Sequence, residues 1–420
     1  MLRFPRMLVV RQRFPDLSLP DVAGEARRVL SESKLASRVK PGARIAIGVG
    51  SRGIANLATL VRAVVDYWRS AKAEPFIFPA MGSHGAATAE GQAEVLAGYG
   101  ITESSMGCPV VSRLEVVPLG KTDSGIEVVL DRAAHESDGI MLVARIKWHT
   151  DFAGAIESGL FKMMAIGLGK FAGAQVYHAH AYRMGLEQVI REVGRRVIAS
   201  GKILGGLAVL EDGNHNTAKL DAVPAELMEQ REEENLRLVK SWMPRIPVPE
   251  LDLLILDEIG KEISGSGMDT KVVNRSVYGE YNIWDTAPKV HRVFVRGLSP
   301  LTHGNAVGIG MADITTTRLV EATDWRATYV NGMTSNALAA IRIPAHFRTD
   351  RECLDRIWRT VGKLHPEELS IGWLRNTLEL STLALSENLR AVLEGASQIE
   401  FAGEPQELRF DKEGNLVSLF

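Results

Sequence analysis

Three polar residues fall just after apolar runs that read as buried strands. Arg52 follows 44–49 (RIAIGV), His84 follows 74–80 (EPFIFPA) and His149 follows 139–146 (GIMLVARI). In parallel α/β sheets, ligands gather at the carboxyl ends of strands, and folding asks for none of these side chains there. One loop histidine alone would be ordinary surface; three polar groups at three strand ends point to a site. Two imidazoles on separate loops suit proton transfer near neutral pH, because their unperturbed pKa is about 6.5. The planar fork of Arg52 matches a carboxylate or phosphate, the more so beside a helix N-terminus. The expected substrate is a small anion rather than a polymer.

The densest stretch of chemistry is 148–182, WHTDFAGAIESGLFKMMAIGLGKFAGAQVYHAHAY. Lys162 interrupts an otherwise apolar run, 160–166. Its amine either snorkels to water or is partly desolvated, which favours the neutral, nucleophilic form and covalent attachment. His178 and His180 form His-x-His. On a strand both would face one side and could share a metal; on a helix they diverge. One metal-ligating and one structural histidine is the reading adopted. Further on, Asp257-Glu258-Ile259-Gly260-Lys261 closes another apolar run, 251–259, which again sets a lysine at a strand end. Lys261 is either a solvated loop residue or a second cation for the anion held by Arg52. The glycines at 167, 169 and 173 do not have the spacing of a dinucleotide fingerprint.

These residues need elements to carry them. Apolar positions from Ile54 to Trp68 recur at helical spacing, with Ser51 placed to cap that helix. Thr88 can cap a helix ending near Gly98. Strands are expected at 203–210, 251–259, 290–295 and 327–330, and helices at 225–242 and 350–361. Three prolines in 243–249 (MPRIPVP) mark a linker. The fold expected is therefore α/β: two α/β domains, 1–243 and 244–420, with a ligand cleft between them. Asp411 to Asn415, between apolar runs, suggests a closing hairpin.

The 420 residues are ample for two or three domains, and 45% hydrophobic with 24% charged residues is ordinary for a globular protein. Net charge is -2, from 49 basic against 51 acidic residues, which argues against a nucleic-acid partner. Two cysteines exclude a disulfide framework and a paired-cysteine metal motif. No stretch approaches the ~18 apolar residues of a membrane span, and the N-terminus lacks an apolar leader, so a cytoplasmic protein is expected, with no membrane partner. Composition leaves the oligomeric state open, a homo-oligomer included.

Taken together, the residues resemble the nickel-dependent lactate racemase family of 2-hydroxyacid racemases and epimerases. The resemblance rests on Gly82-Ser83-His84-Gly85, on His149 with Phe152-Ala153-Gly154, on Lys162, and on His178 sixteen residues after it. It implies a nickel-pincer nucleotide, a pyridinium-3,5-bisthiocarboxylic acid mononucleotide joined to Lys162 by a thioamide. Nickel would be held by a ring carbon, two sulfurs and His178. His84 and His149 would be the acid/base pair, one on each face of a small hydroxy-acid substrate. One would take the hydroxyl proton while the cofactor accepts hydride from the α-carbon, and return of that hydride to the other face of the keto acid would invert the centre. Arg52 and Lys261 would hold the carboxylate and polarise the oxygen, with Glu258 nearby where the family has glutamine. Ser51 and Gly53 would be further cofactor contacts, and cofactor-biosynthesis enzymes would be partners. The chain departs from the family around Ile156-Glu157-Ser158, where three residues are added and Glu157 could sit near the cofactor. It also has Val49 where the family has an acidic residue. A 2-hydroxy acid other than lactate is therefore expected, and no residue selects it. Two alternatives stand beside this reading: a different metal enzyme, a hydrolase or lyase, using His149, His178 and His180; and a binding protein for organic anions.

Overall fold

The computed structural model describes residues 2–50 and 53–420. The chain forms two compact units: one is Pro15–Met243, and the other combines the segment up to Phe14 with Pro244–Phe420. The second passage between units falls at the proline-rich 243–249 stretch. The first does not follow the expected domain 1–243. The N-terminal strand Met7–Gln12 pairs antiparallel with Thr382–Ser386, with Met7 opposite Ser386 and Arg11 opposite Thr382. Local sequence carries no signal for this pairing, because strand partners are chosen by packing at long range.

In the unit Pro15–Met243, five strands lie in the order Glu74–Pro79, Arg44–Val49, Gly139–Ile146, Ile203–Glu211, Thr217–Pro224. The first four are parallel and the last is antiparallel. Alternation along the strands builds a layer on each face. Ile45, Ile47 and Val49 pack with Leu60, Val64 and Trp68 of the helix Leu57–Ser70. Ala46, Phe78 and Leu142 face the other way, onto Leu160, Phe161 and Met164. The chain goes from the central strand Arg44–Val49 to one neighbour and returns on its other side. The carboxyl ends of these three strands are thus a topological switch point, where the layer of connections opens.

The other unit holds an eight-stranded sheet in the order Ala345–Phe347, Ile314–Thr316, Lys289–Leu298, Glu250–Ile259, Ile371–Leu374, Thr382–Ser386, Met7–Gln12, Ile399–Phe401. The first five strands are mutually parallel and the last three join antiparallel. Mixed α/β architecture, as expected, describes the protein.

Two local expectations change. Residues 327–330 are not a strand but lie in the helix Trp325–Thr334. Asp324 caps it by accepting the Ala327 N–H at 3.0 Å, and Thr328 and Gly332 turn inward one helical turn apart. Four β-prone residues were too short a window against that cap. The helix after the strand Arg44–Val49 starts at Leu57 with Asn56 at its N-cap, and Ser51, expected as the cap, lies outside the described residues. The capping expected of Thr88 is present: its hydroxyl accepts the Gly91 N–H at 3.0 Å.

Candidate active site

Each site element in Pro15–Met243 starts from a strand end. His84 stands in the loop after Glu74–Pro79, His149 in the loop after Gly139–Ile146, and Lys162 closes the short helix Leu160–Lys162. That helix runs into a π-turn, Met163–Gly167, in which the Leu168 N–H reaches the Met163 carbonyl at 2.9 Å. Single π-turns inside helices commonly mark functional positions. Two glycines seat the lysine-bearing turn. A Cβ at Gly206 would lie 2.5 Å from Leu160, and one at Gly194 would lie 2.5 Å from Phe161. Without those methyls the apolar residues beside Lys162 sink into the sheet and the lysine stays half-buried at the layer's edge.

His178 lies on the next helix, Lys170–Met184. Burial, first, and the positive charge of Lys162, second, hold its imidazole below the ordinary pKa; Asp151 of the His149 loop opposes them. Lys162, Asp151 and His178 therefore share one electrostatic neighbourhood. His180 is two residues further along a helix, roughly 200° around the axis from His178. The metal set His149–His178–His180 loses its geometric basis, since His-x-His would need a strand. Among the described residues no cluster of three His, Cys, Asp or Glu side chains could hold a metal ion.

The His149 loop is closed at its base by two backbone bonds between Lys147 and Ser158, at 3.0 and 3.1 Å. Inside it Glu157 is fully buried. Its carboxylate accepts the His149 N–H and, at 3.0 Å, the Gly154 N–H, and pairs with Lys240 at 2.5 Å. Glu157 ties the added residues into the loop and fixes the backbone of His149. The His149 ring stacks at 4.5 Å on Phe152 and its Nδ1 accepts the Asp151 N–H at 3.0 Å. That bond leaves the proton of the neutral ring on Nε2, so the ring presents a donor.

The His84 loop lies on the same turn: a Cβ at Gly82 would sit 3.1 Å from Ile166 and 3.3 Å from Ala174. The structure thus brings the His84 loop, the His149 loop, Lys162 and His178 to one edge of one sheet. Gly53 is exposed, and Ser51 and Arg52 lie outside the described residues. Lys261 and Glu258 belong to the other unit. Lys261 Nζ donates to the Gly265 carbonyl at 2.5 Å and to Asn331 Oδ1 at 2.9 Å; Glu258 accepts from Asn376 at 3.2 Å.

Sequence reasoning missed Glu232, in the helix Met228–Trp242. It is one of several glutamates in an REEEN run, and only the tertiary fold turns it inward. One carboxyl oxygen accepts the Phe161 N–H at 3.0 Å, at the start of the lysine-bearing turn, and the other has no partner. Burial pushes its pKa up to about 8 from 4.5. In the folded protein the carboxyl keeps its proton until about pH 8, whereas the unfolded chain loses it above 4.5. Its contribution to stability is therefore lost as pH rises through that window, by roughly 3 kcal/mol between pH 5 and pH 8. Glu232→Gln keeps the acceptor for Phe161 and removes the titration. Urea midpoints of this variant should fall less across that range than those of the parent protein; parallel pH profiles would contradict the assignment.

The lactate racemase N-terminal domain model matches residues 21–188, inside the unit Pro15–Met243. The fold is similar to that of the lactate racemase apoprotein from Thermoanaerobacterium thermosaccharolyticum, with TM-score 0.51 and 13% identity over 89% of this chain and 98% of that chain. A structural-genomics target from Thermotoga maritima is matched at TM-score 0.48 and 13% identity, over 78% of this chain and 83% of that one. No curated protein matches the sequence. Residues 21–188, the span that holds the His84 loop, the His149 loop, Lys162 and His178, are thus similar to the N-terminal domain of lactate racemases.

Proposed function

We propose that this protein is a racemase or epimerase that inverts the α-carbon of a small 2-hydroxy acid, using a nickel-pincer nucleotide attached at Lys162. The observation that supports this reading is the shared environment of Lys162 and His178, sixteen residues apart and on different helical segments. The donor chemistry fits such a group. A metal takes a neutral imidazole, and burial holds the His178 pKa below its ordinary value, an effect to which the Lys162 charge adds before attachment. Lys162 is half-buried at the edge of the apolar layer, accessible for attachment yet held by Leu160 and Phe161 beneath it. The group, when bound, supplies a hydride acceptor and donor.

The chain's own residues do the rest. His149 offers Nε2–H to the substrate oxygen and His84, on the more exposed loop, takes or returns a proton from the other side. Two proton carriers are needed because inversion uses both faces of a planar intermediate acid. Arg52 is the cation proposed for the carboxylate, with Ser51 and Gly53 next to it in sequence, while Lys261 and Glu258 belong to the other unit. Cofactor-making enzymes are required partners.

The test is a screen of single-enantiomer 2-hydroxy acids, with protein co-expressed with cofactor-making enzymes. Chiral chromatography should record loss of optical purity for at least one acid, and mass spectrometry should find Lys162 modified. Full modification with no acid racemised, or an unmodified Lys162 beside a modified control racemase, overturns the proposal.

A further inference from the structure

One buried amine is left unused by this scheme. Lys170, the first residue of the helix that carries His178, is fully buried. It adopts a left-handed backbone, φ 55°, that lysine rarely takes. Its Nζ donates to the Pro79 carbonyl at 2.8 Å and to Gln92 Oε1 at 2.7 Å, with Asp131 at 3.7 Å. Gln92 is equally buried. Its amide N–H groups reach the carbonyls of Met81, Gly82 and His84 at 3.3, 3.1 and 3.4 Å.

The loop these bonds hold is strained. Gly85, Ala86 and Ala87 all have positive φ, at 62°, 54° and 55°. Left-handed alanines are strained and persist only where surroundings impose them. Gly85 is also pressed on the next helix, where a Cβ would meet the Gln92 backbone nitrogen at 2.5 Å. Something must pay for three consecutive left-handed residues, and the Lys170–Gln92 pair is the tie present at their entrance.

We propose that Lys170 and Gln92 are positioning residues for His84. Lys170 is anchored on the strand end, it orients the Gln92 carboxamide, and the carboxamide fixes the backbone from which the histidine projects. The Lys170 hydrogen bond has a second consequence: with its amine donating to Oε1, the glutamine can point only its N–H groups at the loop. A glutamate at this position would bind Lys170 as well, but it would turn oxygens toward three carbonyls. The inference rests on the acid/base role given above to His84.

The experiment compares parent, Gln92→Glu and Lys170→Met by amide hydrogen exchange without cofactor, and by turnover of the loaded enzymes. Losing two or three loop bonds should speed exchange across 81–88 by about 10-fold or more, and leave the helix Leu186–Ile198 unchanged. In the loaded enzyme, kcat should fall about 10- to 100-fold with KM within about twofold, the mark of a displaced proton carrier and not of a lost substrate contact. Gln92→Met, which introduces no charge, carries the comparison if Gln92→Glu fails to fold. Exchange that is unchanged in 81–88, or raised equally in both segments, overturns the positioning role. A parent enzyme that racemises nothing while 81–88 loosens selectively in the variants overturns the proposed function and leaves the tether standing.

Discussion

Lys162→Arg, expressed with cofactor-making enzymes, should be folded, carry no added mass at that position and racemise at least about 10,000-fold more slowly than the parent, because losing an attached group removes the chemistry itself. Arginine keeps a cation beside His178, so the histidine stays below its ordinary pKa. Its delocalised guanidinium is not a nucleophile at neutral pH. Lys162→Met removes attachment and cation together, and the His178 pKa should then move up toward the ordinary value, held back only by burial. Histidine NMR titrations of the two variants separate the roles. Lys162→Arg protein that keeps its turnover would refute attachment at this residue; a His178 titration indifferent to Lys162→Met would refute the electrostatic contact.

Glu157→Leu should cost about 3–5 kcal/mol of stability, the range for breaking a buried ion pair from one side. The carboxylate is fully buried, satisfies the N–H groups of His149 and Gly154 and neutralises Lys240. Leucine would leave two loop N–H groups and an ammonium without that partner, though Lys240 keeps the Gly154 carbonyl at 2.8 Å. Glu157→Gln retains one acceptor and should cost less, about 1–3 kcal/mol. The double variant Glu157→Leu/Lys240→Met should lose less than the sum of its parts, because the second change removes the stranded charge. Urea unfolding reads the stability, and the His149 ring resonances read the loop. A Glu157→Leu protein as stable as its parent, with an unmoved His149, would show that the loop is held by other contacts.

Much of the frame was legible in the chain. Strands at 44–49, 139–146 and 203–210 declared themselves as apolar runs because both faces of a parallel sheet are covered. The helix from Ala89 was announced by Thr88, a cap that acts over three residues. His84 and His149 stand out as reactive types after apolar runs and Lys162 as one inside such a run, whereas His178 is marked by His-x-His and by the sixteen-residue spacing that the family resemblance supplies. Residues 327–330 misled because β-propensity over four residues yields to a cap and a buried face one turn apart.

What the amino-acid order determined by itself was the strand–loop rhythm and the identity of the groups standing at its strand ends. The tertiary structure alone decided that Met7–Gln12 joins the far sheet, that Glu157 is consumed by its own loop, and that Lys170, Gln92 and Glu232 turn inward beneath the reactive side chains. The physical reason is range. Apolar periodicity and capping act over a few residues, whereas the buried polar groups of Glu232 and Lys170 meet partners that the fold brings from 71 and 91 positions away, Phe161 and Pro79.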